Sequence, residues 1–341
     1  MDDIQIRKHR DAIVERCGPW FGCIHLGNNV YTLDDPHVDT RVRQCLQLVS
    51  DIACKPLDKM RVLDLACLEG HFAIEFALHG AEVIGIEARQ VSLQKAEFIK
   101  DLLSLHKLTL IRDDVRNFTR QQYGEFDVIL CCGILYHMDA PDAMHLINNI
   151  FECCSRVAVL NTHFSLTGSE SYCWNGTSYW GHFSQEHDAT DTEDEQLATL
   201  WSSIKNVRSF VLTRPSLFNL LRHVGFTSVY ECINPYVYTH PDSTALPVSP
   251  GHDRHGVWDD RATFVAIKGS RQKVISSLVA DELPEINRPE KPPYIPPYIR
   301  PSAAGLGRKL IAHLPAPSRK VLSLLYHSVA RRSRKSLSPP T

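Results

Sequence analysis

Acidic residues stand where three successive apolar segments end, and their spacing suits a ligand that contains a ribose. Asp64 lies in RVLDL, Glu87 ends VIGIE 23 residues later, and Asp114 follows LTLIRD. A carboxylate in the place of Glu87 can accept both ribose hydroxyls, and Asp114 can accept an adenine amino group. Asp64 can accept an amino group directly or through water, or only order the turn. Asp113 replaces Asp114 if the register differs by one residue.

Histidines near the same segments supply groups for acid–base chemistry. His137 follows the fourth apolar segment, and His163 ends the fifth. An unperturbed imidazole titrates at about pH 6.5, so His137 is a candidate general base and His163 a second candidate. A structural role in fixing the following turn is the alternative for His137. Tyr136 can line the pocket, and four further side chains can cover a substrate or merely pack: Trp174, Tyr179, Trp180 and His182.

Strand and helix patterns alternate from Met60 onward and predict the scaffold for these side chains. Short β-branched segments alternate with amphipathic segments such as SLQKAEFIKDLLSLH. This alternation predicts a doubly wound, mostly parallel α/β sheet, in which ligands bind beyond the carboxyl ends of the strands. A late helix, TRPSLFNLLRHVGF, and two late strands complete a predicted domain of residues 56–270.

The turn after the first strand, ACLEG, has one glycine where phosphate-binding loops have several. Ala66 and Leu68 occupy the other positions, and Gly70 opens the next helix. A pyrophosphate on a helix N-terminus needs a bare backbone, and Leu68 would crowd it. A ligand without phosphate relaxes this requirement. S-adenosylmethionine, which joins adenine, ribose and an amino acid, is such a ligand.

Four motifs in this order resemble those of the class I S-adenosylmethionine-dependent methyltransferases. They are VLDLACLEGHFA, VIGIEAR, RDDVRNF and FDVILCCGILYHMDAP. The resemblance covers about residues 58–165 and 208–270 and implies a Rossmann-like fold with a seven-stranded, mostly parallel sheet. It also implies a set of cofactor-binding residues, namely Asp64, Ala66, Gly70, Glu87, Asp114, Val115 and Gly133.

A narrower resemblance involves GILYHMDAP together with PWFGCIHLGNNVYT near the N-terminus. These stretches look like the branch that contains the tRNA wobble-uridine carboxymethyltransferase and related small-molecule methyltransferases. In this branch an aromatic N-terminal segment precedes the core. Trp20, Phe21 and His25 lie in that segment. They either close the cofactor pocket or only anchor the segment as a hydrophobic staple.

The flanking segments predict three additions to the core domain. Residues 1–55 predict a cap with helices over Ile4–Arg16 and Val38–Ala53. Residues 164–207 are polar and turn-rich, which predicts an inserted lid or substrate loop and not a core element. Residues 271–341 are a proline-rich linker and a basic tail.

The charge of the chain is unevenly distributed, with a basic C-terminus and an acidic body. Nine Lys and Arg and no Asp or Glu follow from Arg300 onward, so the net charge of -2 leaves about -11 for the rest. The favoured interpretation is a solvated tail. The alternative is contact with an anionic membrane surface or with RNA.

The composition allows predictions about the cellular location of the protein and about disulfides and metals. The chain has no apolar h-region and no apolar stretch of roughly 18 residues, which predicts a cytoplasmic protein. Its eleven cysteines include no C-x-x-C pair, which favours buried thiols over disulfides and zinc. We expect no metal.

These features predict an enzyme that transfers a methyl group from S-adenosylmethionine to a small molecule. Oxygen is the expected acceptor atom, on a small metabolite or on a sugar- or lipid-linked intermediate. One alternative is a tRNA-modifying (carboxy)methyltransferase that uses the basic tail. The other is a non-catalytic module, because Ala66 and Leu68 would permit loss of the cofactor.

Overall fold

The computed structural model describes residues 1–34, 39–232 and 259–270. The N-terminal segment forms two helices and a short hairpin: α1 (Asp3–Cys17), β1 (His25–Gly27), β2 (Val30–Tyr31) and α2 (Thr40–Ile52). Helix α1 begins with a capping box, in which the side chains of Asp2 and Gln5 each bond the other's backbone amide. The two predicted helices of the cap are confirmed, with small shifts at their ends.

Strands and helices then alternate along the chain. The first nine are β3 (Arg61–Leu65), α3 (His71–Leu78), β4 (Glu82–Glu87), α4 (Gln90–Leu102), β5 (Leu108–Arg112), α5 (Arg120–Tyr123), β6 (Phe126–Cys132), α6 (Ala140–Cys153) and β7 (Cys154–Ser165). The later elements are β8 (Glu170–Trp174), β9 (Thr177–Gln185), α7 (Glu193–Ala198), β10 (Arg208–Leu212), α8 (Arg214–His223), β11 (Ser228–Cys232) and β12 (Asp259–Ile267). Short 3-10 turns cover Leu57–Lys59, Val115–Asn117 and Leu135–His137.

Seven strands form the central sheet in the order β5–β4–β3–β6–β7–β12–β11. The first five are parallel, whereas β12 pairs antiparallel with both β7 and β11. The chain order reverses between β3 and β6, which makes this junction the topological switch point. The predicted doubly wound, mostly parallel sheet is confirmed.

Alternating side chains of the strands bury both faces of the sheet. Val62 packs against the cluster that contains α1, α2, α3 and α4, whereas the next residue, Leu63, packs against the cluster that contains α6 and α8. Val128 and Ile129 divide between the two clusters in the same way. Burying each such side chain contributes about 1.5–3 kcal/mol. The packed sheet is therefore a rigid base for the strand ends.

Residues 164–207, predicted as an inserted lid or substrate loop, contain regular strands, and their role as a lid stays a prediction. Strands β8 and β9 form a hairpin there and, with β10, a three-stranded antiparallel sheet. Asn175 and Gly176 make the two-residue turn with φ of 49° and 77°, as a type I′ turn requires. Asn-Gly between two aromatic segments is a strong hairpin signal, and the polar composition obscured it. We call residues 164–207 the insertion.

Three further sequence predictions concern the tail, the membrane and the thiols. The proline-rich linker and basic tail lie outside the described residues. Within the described ranges, no helix is long and apolar enough to cross a membrane. All eleven cysteines are free thiols, and six of them are buried. The preference for buried thiols over disulfides is consistent with this arrangement.

Candidate active site

The carboxyl ends of β3, β4 and β5 meet at one edge and bring the predicted acids together. Asp64 is in register with Gly85 of β4 and Leu130 of β6. The backbone amide of Asp113 donates to the carbonyl of Glu87 at 3.3 Å. The turn that begins after β3 therefore lies beside the end of β4, as parallel pairing predicts.

The turn of residues 66–70 adopts left-handed backbone conformations at alternate positions. Ala66, Leu68 and Gly70 have φ of 54°, 52° and 83°, so the loop has the shape that glycines would favour. At Gly70 a Cβ would lie 3.0 Å from Ile74 Cδ1 and 3.2 Å from Ala96 Cβ. Gly70 is thus required for packing as well as for backbone shape, whereas Ala66 and Leu68 adopt the same region at a conformational cost.

We expect Ala66→Gly to raise the free energy of unfolding by up to about 1 kcal/mol, because glycine adopts positive φ without steric cost. The matched control is Ala143→Gly inside α6, which should lower the same quantity by about 1 kcal/mol or more. Urea unfolding of both variants measures the two changes. A loss of stability in both variants would contradict the strained loop.

Asp64 and Glu87 are buried carboxylates, 1% and 3% exposed, that bond backbone amides. Ala73 N donates to Asp64 at 3.0 Å, and Leu68 N and Arg89 N donate to the two oxygens of Glu87 at 2.9 and 2.7 Å. Burial raises the pKa of Asp64 to about 7, and the nearby Glu87 charge adds to the shift while the amide of Ala73 opposes it. Burial also raises the pKa of Glu87. Each oxygen has further lone pairs for a ligand.

The raised pKa of Asp64 predicts a pH-dependent stability. The folded protein keeps this proton up to about pH 7, whereas the unfolded chain releases it at about pH 4. The contribution of Asp64 to stability is therefore greatest below about pH 4 and is lost as the pH rises to about 7. In urea unfolding, wild type should lose stability relative to Asp64→Asn across this window. Parallel pH profiles of the two proteins would contradict the shift.

Asp114 and Asp113 both have partners within the protein at the end of β5. Asp114 accepts the amide of Arg116 at 3.0 Å and pairs with its guanidinium at 2.6 Å. Asp113 accepts the Tyr123 hydroxyl and the Asn117 amide. Burial alone would raise the pKa of Asp113, but these hydrogen bonds hold it below its ordinary value. The assignment of adenine to Asp114 stays a prediction.

Val115 and Gly133 lie at the same edge as the acids. Val115 is buried at the start of the 3-10 turn after Asp114. Gly133 follows β6 with φ of 108°, and its amide donates to the carbonyl of Asn161 at 2.9 Å. A glycine is required here because a side chain rarely adopts this φ. The roles of both residues in binding the cofactor stay predictions.

His137 contacts the insertion through both its ring and its backbone. Its Nδ1 lies 3.1 and 3.0 Å from the two carboxylate oxygens of Glu186. The Ser203 amide donates to Glu186 at 2.8 Å, and the Asn206 side-chain amide donates to the carbonyl of His137 at 2.8 Å. Burial alone would raise the pKa of Glu186, but the hydrogen bonds from His137 and from the Ser203 amide hold it below its ordinary value.

Tyr136 contacts the rings of both candidate bases. Its ring centroid is 4.2 Å from the ring of His137 and 4.6 Å from the ring of His163. The guanidinium of Arg261 lies 5.7 Å from the same ring and donates to Asn161 at 2.8 Å. The ends of β6, β7 and β12 thus carry a cluster of aromatic and basic groups beside Gly133.

The predicted substrate residues of the insertion occupy different environments. Tyr179 is 1% exposed and bonds His223 Nδ1 at 2.9 Å through its hydroxyl. Trp174 is half-buried and its ring lies 6.5 Å from that of Tyr179. Trp180 is half-buried, with its backbone bonded to Ser216. His182 Nδ1 lies 2.8 Å from Ser165 Oγ. The position of Tyr179 fits the packing alternative, and the substrate roles of all four stay predictions.

A buried ion pair ties the N-terminal segment to the 66–70 loop. Lys95 of α4 donates to Glu69 at 2.8 Å and to the carbonyl of Pro19 at 2.6 Å. The amides of Phe21 and Gly22 also donate to Glu69, at 2.9 and 3.1 Å. The Glu69 and Lys95 side chains are only 2% and 8% exposed. The pair therefore connects three parts of the protein at the loop.

The aromatic residues of the N-terminal segment have different partners. Trp20 is buried, 6.1 Å from the ring of Phe98, which fits the staple alternative. Phe21 is 42% exposed, and its ring lies 4.2 Å from that of Trp201 in the insertion. His25 Nε2 lies 2.6 Å from the carbonyl of Asn28.

Arg89 attaches the insertion close to Glu87. Its side chain donates to three backbone carbonyls, those of Leu197, Thr199 and Ser202, at 3.2, 2.9 and 2.7 Å. Burial lowers the pKa of Arg89, and the charge of Glu87 opposes the shift. These hydrogen bonds, together with the contact between Phe21 and Trp201, hold the insertion close to Glu87, the acid expected to bind the ribose.

Four residues that organise the site were not predicted from the sequence, namely Glu69, Arg89, Lys95 and Glu186. The sequence does indicate a buried role for Lys95, because a lysine on the apolar side of an amphipathic helix needs a buried partner. No sequence pattern links Glu186 to His137, since 49 residues separate the two. Among the described residues, no group of three or more His, Cys, Asp or Glu side chains could hold a metal ion. The expected absence of a metal stays a prediction.

Comparisons with known proteins agree with this geometry. Residues 56–189 match the family model described as a methyltransferase domain. YqeM of Bacillus subtilis (strain 168), whose name assigns it provisionally to the methyltransferases, is 26% identical over 151 residues, or 43% of this chain. The chain spans about half the length of that relative, 54%.

Solved structures share the fold. The N-terminal domain of EvdMO1, determined in the presence of S-adenosylhomocysteine (SAH) and D-fucose, has a TM-score of 0.56 at 20% identity. The match covers 79% of this chain and 98% of that domain. A longer EvdMO1 structure has a TM-score of 0.50 at 18% identity and covers 78% of this chain and 49% of that one.

Residues 56–189 thus match a methyltransferase domain, and the solved structures share the fold of the chain. The resemblance to the class I methyltransferases implies S-adenosylmethionine as the cofactor, and the residues at the strand ends fit it. Its ribose hydroxyls and ammonium group are donors, and the edge offers the buried carboxylates of Asp64 and Glu87 as acceptors. The branch that modifies tRNA is not confirmed.

Proposed function

We propose that this protein methylates an oxygen atom of a small molecule, either a small metabolite or a sugar- or lipid-linked intermediate. The observation that carries the proposal is the pair of imidazoles, His137 and His163, whose rings lie 4.2 and 4.6 Å from the ring of Tyr136 at the ends of β6 and β7. A hydroxyl acceptor must lose a proton when it is methylated, and an imidazole beside it can take that proton.

The strand-end residues supply binding and orientation. Glu87 would hold the ribose hydroxyls and Asp64 the ammonium group, while the 66–70 loop and Gly133 allow close approach. When bound, S-adenosylmethionine supplies a methyl group on a positively charged sulfur. The protein's main task is to hold this group in line with the acceptor. His137 would take the acceptor's proton, with His163 as the second candidate.

The structural neighbour makes sugars the first acceptors to test, because that protein was determined with D-fucose. A panel of deoxyhexoses, nucleotide-linked sugars and lipid-linked sugars would be incubated with enzyme and S-adenosylmethionine, and SAH formation measured. We expect acceptor-dependent SAH and a methylated product that resists alkali, as an ether does and an ester does not. Glu97→Ala on the exposed side of α4 is the matched control for Glu87→Ala.

Two results would contradict the proposal. Methylation of an amine or of tRNA in place of a hydroxyl compound would favour another acceptor. SAH binding without turnover on any member of the panel would count against a sugar acceptor. Transfer RNA belongs in the panel, since the basic tail and the tRNA alternative stay predictions. A cytoplasmic location also stays a prediction.

A further inference from the structure

We propose that Glu186 is the positioning residue for His137, so that the general base is complete only when the insertion lies against the end of β6. This proposal rests on the proposed function. It assigns to the insertion a part in proton transfer that is separate from covering a substrate.

The contact between the two side chains is close and enclosed. Both carboxylate oxygens of Glu186 lie within 3.1 Å of His137 Nδ1, and the side chains are 9% and 3% exposed for histidine and glutamate. A carboxylate at this distance is an acceptor, so a proton on Nδ1 satisfies both groups. The lone pair is then left on Nε2, which is the form that a general base requires.

Glu186 is itself held in place by the insertion. Ser203 N donates to its Oε2 at 2.8 Å, which fixes the carboxylate from the side of the following loop. Glu186 directly follows β9, which is paired on both sides in the three-stranded sheet, and this pairing limits the movement of its backbone. The carboxylate therefore has a defined position relative to the imidazole.

The backbone around His137 is bound to the same region. Asn206 donates to the carbonyl of His137 at 2.8 Å, and Phe210 N donates to the carbonyl of Met138 at 2.8 Å. The ring and the main chain at this turn thus depend on contacts from residues 186 to 210. Displacing the insertion would remove the orienting carboxylate and loosen the turn together.

The chemistry that follows is a balanced proton transfer. The acceptor hydroxyl gives its proton to Nε2 of His137, and its oxygen uses the freed electron pair to bond the methyl carbon. The sulfur keeps the electrons of the broken bond and leaves as a neutral thioether. The imidazole becomes positively charged, and the ionised Glu186 stabilises that charge without taking the proton.

The first test is nitrogen NMR of the full-length, ligand-free protein labelled in its histidine rings. The His137 signals are assigned by their loss in His137→Asn. We expect a protonated Nδ1 and an unprotonated Nε2 in wild type, and loss of this preference in Glu186→Gln, which keeps the size but not the charge. A dominant Nε2–H form in wild type, or no change in Glu186→Gln, would overturn the proposal.

The second test separates positioning from a merely structural contact. With an acceptor from the sugar panel, Glu186→Gln should lower kcat on the order of 10²-fold with an unchanged Kd for SAH. Glu193→Gln, an exposed acid of the same insertion, should keep wild-type kcat. An unchanged kcat in Glu186→Gln would overturn the positioning role. A decrease in kcat that is fully explained by the fraction of unfolded protein would overturn it as well. If no acceptor is found, the proposed function has failed, and the NMR result still decides the pairing.

Discussion

Replacing His137 with asparagine is expected to lower kcat by about 10²- to 10⁴-fold while leaving the affinity for SAH unchanged. The reason is that the imidazole is the proposed proton acceptor, and asparagine keeps a polar side chain but cannot take a proton at neutral pH. His137 is not among the acids proposed to bind the cofactor, which lie on β3 and β4, so the affinity for SAH should not change. Steady-state kinetics and calorimetry on the same preparation measure the two quantities.

The control for this variant is His106→Asn, an exposed histidine outside the site. It should keep both kcat and SAH affinity. Thermal unfolding of His137→Asn shows whether the fold is retained, since the change leaves Glu186 buried beside a neutral group. A folded His137→Asn variant with wild-type kcat would show that His137 is structural, and His163 would then be the base to test.

Replacing Lys95 with methionine is expected to lower the free energy of unfolding by about 3–5 kcal/mol. The change leaves Glu69 as a charge that is 2% exposed, with only the amides of Phe21 and Gly22 to stabilise it. The carbonyl of Pro19 loses its donor as well. Urea unfolding measures the loss, and the affinity for SAH should fall because Glu69 belongs to the 66–70 loop.

Two further variants make this prediction specific. Lys100→Met, in the same helix but not in the ion pair, should change stability by less than about 1 kcal/mol. The double variant Glu69→Gln with Lys95→Met removes both charges and should recover part of the loss, because an uncompensated buried charge is the main cost. Equal losses in Lys95→Met and Lys100→Met would contradict the role given to the ion pair.

The sequence predicted the sheet and the acids at its edge because both follow from local rules. Alternating strand and helix patterns require parallel strands, and parallel strands place Asp64 and Glu87 at one edge whatever the loops do. The absence of two glycines was also informative. Ala66 and Leu68 adopt the positive φ that glycines would favour, so the loop has this shape without glycine at either position.

The parts that the sequence did not predict depend on contacts between distant segments. Glu186 reaches His137 only because the hairpin of β8 and β9 folds back onto the sheet, and no local pattern encodes that docking. The hairpin itself has a local signal in Asn175 and Gly176, which the polar composition of the segment obscures. The 66–70 loop also contacts α3 and α4, since a Cβ at Gly70 would lie 3.0 Å from Ile74 Cδ1 and 3.2 Å from Ala96 Cβ, and Glu69 pairs with Lys95.

The most direct test of the central claim is calorimetric titration of the protein with SAH. We expect binding by wild type and a roughly 10- to 100-fold loss in Glu87→Ala, since hydrogen bonds to a charged group contribute about 1.5–3 kcal/mol. Glu97→Ala should bind as wild type does. Wild type that fails to bind at millimolar SAH, or Glu87→Ala that binds with unchanged affinity, would contradict the account.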